Sequence, residues 1–184
     1  SGNYQIALGY FLSALRLQPS QHSFLRSLVR ALLKSGMDFR TYLTQNNLLT
    51  KEYVYTIADT LFKLDYHCLV LEISSEQKDA AEPEQQVVNW QLQFVKSRSL
   101  LRMGKYQEVL TVLDKIPHDD AQKKDALVYS WISAVLAEEL DWAQKYAVQL
   151  QANRVLVGSL LARLLIILQY GYKSDSKDRG LLNN

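Results

Sequence analysis

Apolar residues recur three and four positions apart along most of this 184-residue chain, a period that commits the backbone to helices. No stretch alternates over four or more residues with strand chemistry. The first stripe, Tyr4, Ala7, Leu8, Phe11, Ala14 and Leu15, stops at Pro19, which cannot continue a helical hydrogen-bond ladder. The next, Phe24, Leu25, Leu28, Val29 and Leu32, ends at Ser35-Gly36, a C-terminal signal. Further helices are predicted over residues 38–46, from an N-cap at Thr50 through Lys63, and over Tyr66 to Ile73. After these come Val87 to Met103, a helix from Tyr106 that stops before Pro117, and helices near 121–138, 141–151 and 153–170. With 7 Gly and 3 Pro the chain lacks the punctuation of a collagen or a turn-dense β protein, and 48% hydrophobic residues exclude wholesale disorder.

One segment breaks the period. Ser74 to Gln86 holds four acidic residues, one lysine, a proline and no large apolar side chain, so it reads as a loop. The tail over 173–184 is polar. Val155 to Leu168 is the nearest approach to a membrane span. It is interrupted by Arg163 and shorter than the roughly 20 residues a spanning helix needs, so it reads as a buried helix.

The turns repeat. Gly2-Asn3-Tyr4 and Ser35-Gly36-Met37 stand 34 residues apart, glycine to glycine. Leu64-Asp65-Tyr66, Met103-Gly104-Lys105-Tyr106 and Leu140-Asp141-Trp142 follow, with 36 residues from Gly104 to Leu140. Each unit is helix, tight turn, helix, with an aromatic after the turn and glycine where left-handed backbone is needed. In this pattern the chain resembles the tetratricopeptide repeat family, whose unit is 34 residues. Gly2-Asn3-Tyr4, Ala7, Phe11, Ala14 and Pro19 match the second helix of such a repeat, and Gly104-Lys105-Tyr106 with Val109 and Leu113 is a looser copy. Tyr66 and Leu69 keep part of the pattern, and Asp141-Trp142-Ala143 keeps the turn. The resemblance implies an all-α fold over residues 1–172: a right-handed α-solenoid of antiparallel helix pairs. It also implies that the chain opens inside a repeat, and so is a fragment of a longer solenoid.

Catalytic chemistry is hard to assemble from these residues. Within a single predicted helix, His22, His67 and His118 have no second histidine or carboxylate four positions away, since Pro117 separates His118 from the helix that carries Asp114. No helical face therefore carries a metal or acid–base pair. His67 and Cys68 are adjacent and diverge by about 100° on a helix, which precludes a direct dyad. His118-Asp119-Asp120 reads as a turn and helix cap rather than a metal cluster. No phosphate loop, dinucleotide turn or nucleophile elbow is present. The reading is non-enzymatic, with no cofactor and no metal. A single cysteine, Cys68, leaves no internal disulfide and fits a reducing compartment, the cytoplasm first, with the nucleus and the periplasm as alternatives.

Basic residues carry the binding expectation. Arg26, Arg30 and Lys34 follow one another every four residues, and Arg98 and Arg102 repeat that spacing with Phe94 one turn before. In the tetratricopeptide register these residues, with Lys51 and Phe62 in the intervening unit, face the concave groove. Arginines along a groove suit carboxylates, so the expected occupant is an acidic peptide segment of a protein partner. The acidic segment of the chain itself, with Glu76, Asp79, Glu82 and Glu84, is an internal competitor. Surplus apolar surface at the two ends, Tyr4, Leu8 and Phe11 on the first helix and Leu160, Leu164, Ile167 and Leu168 on the last, is expected to dock other subunits, making homo- or hetero-oligomers. The function read from these features is a protein-interaction scaffold or adaptor. The alternative is a dedicated chaperone of a secreted or assembly-prone client, similar to the tetratricopeptide chaperones of type III secretion. A nucleic-acid-binding solenoid ranks third, because the net charge is only +2.

Overall fold

The computed structural model describes residues 2–75, 90–114 and 120–152. Among these residues every regular element is a helix: α1 (Gly2–Leu17), α2 (His22–Ser35), α3 (Phe39–Gln45), α4 (Val54–Lys63), α5 (His67–Ser75), α6 (Trp90–Arg102), α7 (Tyr106–Leu113), α8 (Asp120–Leu136) and α9 (Leu140–Ala152). The all-α reading therefore holds for the described chain. The predicted helix over 153–170, with Leu160, Leu164, Ile167 and Leu168, lies outside the described residues, as do residues 76–86 of the acidic segment and the tail.

Burial follows the period. On α2, Leu25, Leu28, Val29 and Leu32 each keep 0% exposure, while Arg26 and Arg30 between them are exposed. The helix stops at Gly36, whose φ of 72° is left-handed. Asp38 then caps α3: its Oδ1 accepts the Thr41 N–H at 2.7 Å. Hydrogen bonds from Thr41, side chain and backbone, hold the Asp38 carboxyl below its ordinary range.

Four turns share one hydrogen-bond geometry. At Asn47, Asp65, Gly104 and Glu138 the backbone is left-handed, with φ of 54°, 63°, 75° and 61°. The next residue donates its N–H five positions back in each case: Leu48 to Leu43, Tyr66 to Leu61, Lys105 to Leu100 and Glu139 to Ala134, at 2.9–3.0 Å. This is the Schellman closure, which satisfies carbonyls that a helix end leaves open. Gly104 and Glu138 stand 34 residues apart.

Four details of the sequence reading are corrected. Gly2-Asn3-Tyr4 is not a turn but the first residues of α1, since an uninterrupted helical pattern follows it. Thr50 does not cap α4 through its side chain; its carbonyl accepts the N–H groups of Tyr53 and Val54, a backbone turn that delays the helix to Val54. No break falls at Ser74. Ser74 and Ser75 extend α5, and Ser74, 2% exposed, donates its hydroxyl to the Val70 carbonyl at 2.6 Å. The turn before α9 lies at Glu138, not at Leu140-Asp141-Trp142, which open that helix.

Helices α2, α4, α6 and α8 pack side by side in chain order. Between them, α5 lies against both α4 and α6, and α7 against both α6 and α8; α1 packs on α2 and α9 on α8. Two core clusters result. One gathers α1 to α5 with Leu92 and Val95 of α6; the other gathers Leu100 and Leu101 of α6 with α7, α8 and α9. Three buried hydroxyls inside these helices are satisfied locally: Thr60 donates to Thr56 O at 2.7 Å, Ser97 to Phe94 O at 2.8 Å and Ser133 to Tyr129 O at 2.7 Å. The Ser99 hydroxyl of α6, by contrast, is buried without a hydrogen-bond partner among the described residues.

Two measurements check this account. Gly104→Ala should lower stability by about 1 kcal/mol through backbone strain alone. A Cβ there would meet only the Tyr106 hydroxyl at 3.9 Å, so steric cost is absent, and Glu138→Gly should show no comparable loss. Urea midpoints distinguish the two. Because the Asp38 carboxyl is depressed in the fold, its contribution is present above its unfolded pKa of about 3.9 and disappears as pH falls through the folded value. Asp38→Ala should therefore lower stability at pH 7 and have little effect at pH 2, read from urea unfolding at both.

Candidate partner-binding surface

The cationic residues of α2 sit opposite its core stripe. Arg26, Arg30 and Lys34 are exposed, and none has a hydrogen-bond or ion-pair partner among the described residues. At the first residue of α2, His22 Nδ1 lies 3.1 Å from Thr56 Oγ1 of α4, joining the two helices along one flank of the stripe. Helix α1 covers another flank.

The next junction in the row uses two residues expected to contact a ligand. The Arg98 guanidinium of α6 stands over the Phe62 ring of α4, with Cζ 4.1 Å from the ring centroid. Phe62 is 8% exposed, its ring also lying 5.4 Å from that of His67. Phe62 is thus corrected from groove contact to core: Arg98 occupies the face a ligand would need. Arg98 in turn is a half-buried clamp between helices rather than a solvated cation. The following junction is aromatic. Phe94 of α6 and Tyr129 of α8 meet edge to face at 5.2 Å, leaving Phe94 half-buried. Arg102 is half-buried too. Lys51 is exposed but stands in the turn before α4, because that helix begins at Val54.

The structure therefore splits the predicted groove residues. Arg98 meets Phe62, whereas Arg26, Arg30 and Lys34 form a separate open stripe. Several cations elsewhere have partners: Arg40 with Glu72 at 3.5 Å, Lys63 with Asp59 at 2.7 Å, Lys105 with Glu108 at 3.1 Å and Lys145 over Trp142 at 4.5 Å. Among the described residues, Arg16, Lys51 and Lys124 stand exposed as single open cations rather than as a stripe. The contrast has a sequence signal that net charge conceals. The first acidic residue of the chain is Asp38, so Arg16, Arg26, Arg30 and Lys34 precede any carboxylate. The remaining 147 residues carry 17 Lys and Arg against 19 Asp and Glu.

On α1, Leu8 is corrected from docking candidate to core, at 2% exposure, since it faces α2 together with Leu15. Phe11 is half-buried against the same cluster and Tyr4 keeps 40% exposure. The opposite face, which the sequence reading passed over, exposes Ile6, Tyr10 and Leu17.

His67 is buried at 1% exposure, with Nε2 3.9 Å from Asp65 Oδ1, and Cys68 is half-buried. Among the described residues no group of three or more His, Cys, Asp or Glu could hold a metal ion. Likewise, no described helix is long and apolar enough to cross a membrane.

The chain matches no protein-family model, no curated protein and no solved structure.

The Phe62–Arg98 contact can be measured. Phe62→Ala should cost about 3 kcal/mol, as for other buried aromatics, and Arg98→Ala about 1 kcal/mol. A double-mutant cycle should return a coupling of about 0.5–1 kcal/mol, and a value near zero would remove the clamp.

Proposed function

We propose that this chain is a non-enzymatic protein-interaction scaffold, built as a right-handed tetratricopeptide-like solenoid of antiparallel helix pairs. One observation carries the reading: α2, α4, α6 and α8 lie in a row, and α5 and α7 each pack against two successive members of it. Such nearest-neighbour packing is the signature of repeat architectures, which present one long surface instead of a cleft. The recurring left-handed turns at Asp65, Gly104 and Glu138 support the same repeat. In this reading a partner segment lies along the row, with the α2 cations as its charged contact and Phe94 at its apolar end. The ends of the array, beginning with the exposed residues of α1, dock further subunits.

The test is retention of a partner by the intact protein. Purified from its own cells, the wild-type chain should retain a protein at fixed stoichiometry. Arg26→Glu with Arg30→Glu should weaken that association at least tenfold, because two favourable charge contacts become repulsive. If nothing is retained by the wild type, the scaffold reading fails. If retention survives both reversals, the partner binds elsewhere.

A further inference from the structure

We infer that the open stripe of α2 is an acceptor for an acidic helix of a partner protein, one that carries three carboxylates a turn apart along one face. The inference rests on the scaffold reading and narrows it, from any segment along the row to a helix seated on Arg26, Arg30 and Lys34.

Charge is the first ground. Arg26 and Arg30 are exposed, and no carboxylate of the described chain pairs with either. Neither α1 nor α2 contains an acidic residue, so no neighbour on those helices competes with an incoming carboxylate. Lys34 alone has an internal reason to be cationic, since it stands in the last turn of α2, where the helix dipole favours positive charge. The two arginines have no such reason. Their planar forks match carboxylate geometry and give two parallel hydrogen bonds each.

Spacing is the second ground. Positions four apart on a helix rise about 6 Å and rotate by about 40° per step, so the stripe climbs about 12 Å while drifting about 80° around α2. An extended peptide repeats its side chains every two residues along a nearly straight line and would leave that drift unmatched. A helix with acids at i, i+4 and i+8 has the same rise and the same drift. Ridges of that type are the ones helices use when they pack against each other. Space is the third ground. With α1 on one flank and the His22–Thr56 contact to α4 on another, one long face of α2 remains open.

Two fluorescein-labelled peptides of identical composition test the proposal. Both are held helical by aminoisobutyrate and carry three glutamates. In one the glutamates stand at i, i+4 and i+8; in the other they stand at i, i+5 and i+10, spread around the axis. Fluorescence anisotropy at low ionic strength should show the full-length protein binding the one-face peptide about tenfold more tightly, since each exposed pair is worth a few-fold at most. The preference should fall away at 0.5 M salt, where such pairs are screened. Arg26→Gln, Arg30→Gln and Lys34→Gln together should abolish it with the urea midpoint unchanged, whereas Lys105→Gln should keep it. Equal affinity of the wild type for the two peptides overturns the inference, and that comparison needs no variant. So does a triple variant that keeps the preference, or a preference that emerges only when residues 76–86 are deleted, which would make the chain's own acidic segment the occupant. Loss of the peptide preference with a protein still retained from cells sinks this inference alone; absence of any retained protein sinks the scaffold.

Discussion

The fold depends on α6 being shared. Its first half, through Leu92 and Val95, closes the core built by α1 to α5, and its second half, through Leu100 and Leu101, opens the core of α7 to α9. A helix that serves two cores must be buried on nearly all sides, yet the α6 sequence, WQLQFVKSRSLLR, is rich in polar residues. The conflict is resolved by small side chains. Ser97 and Ser99 are fully buried, Ser97 returning its hydroxyl to the Phe94 carbonyl while the Ser99 hydroxyl has no hydrogen-bond partner among the described residues. The polar remainder is used at the margins. Arg98 reaches across to Phe62 on α4, and Phe94 reaches the other way to Tyr129 on α8.

This arrangement separates two jobs that arginine can do. At Arg98 the guanidinium is held against an aromatic face between two helices, where it contributes to packing and is partly withdrawn from solvent. At Arg26 and Arg30 the same side chain stands on a face with no neighbour to cover it. The four-residue spacing that makes 98 and 102 look equivalent to 26 and 30 is blind to that difference. Spacing reports which residues share a side of one helix; only the position of the next helix decides whether that side is open.

Much of the element map was legible because helix ends carry their own chemistry. Pro19, Gly36, Asp38 and Gly104 all mark boundaries that the backbone respects, since each acts through local sterics or a local hydrogen bond. The turn at Leu64-Asp65-Tyr66 was legible from the repeat, but the left-handed backbone at Asn47, Asp65 and Glu138 was less so, because no glycine announces the conformation there. Asparagine and aspartate tolerate that region, but glutamate enters it only when the flanking helices and the closing bond from Glu139 to Ala134 impose it. The start of α4 was displaced for a similar reason. Thr50 has the side chain of an N-cap, yet its backbone carbonyl closes a turn first.

By itself the sequence determined that the described chain would be helical, where most of its helices would stop, and which stripe of each would be apolar. Those properties follow from periods and terminators that span a few residues. It also held the concentration of positive charge ahead of Asp38, hidden within a net charge of +2. Tertiary structure alone decided that Phe62 is core, that Leu8 faces inward while Ile6, Tyr10 and Leu17 do not, and that Arg98 clamps while Arg30 stands open. A stripe becomes a core, a clamp or a surface according to what packs against it. That depends on contacts between residues far apart in the chain, which no local period encodes.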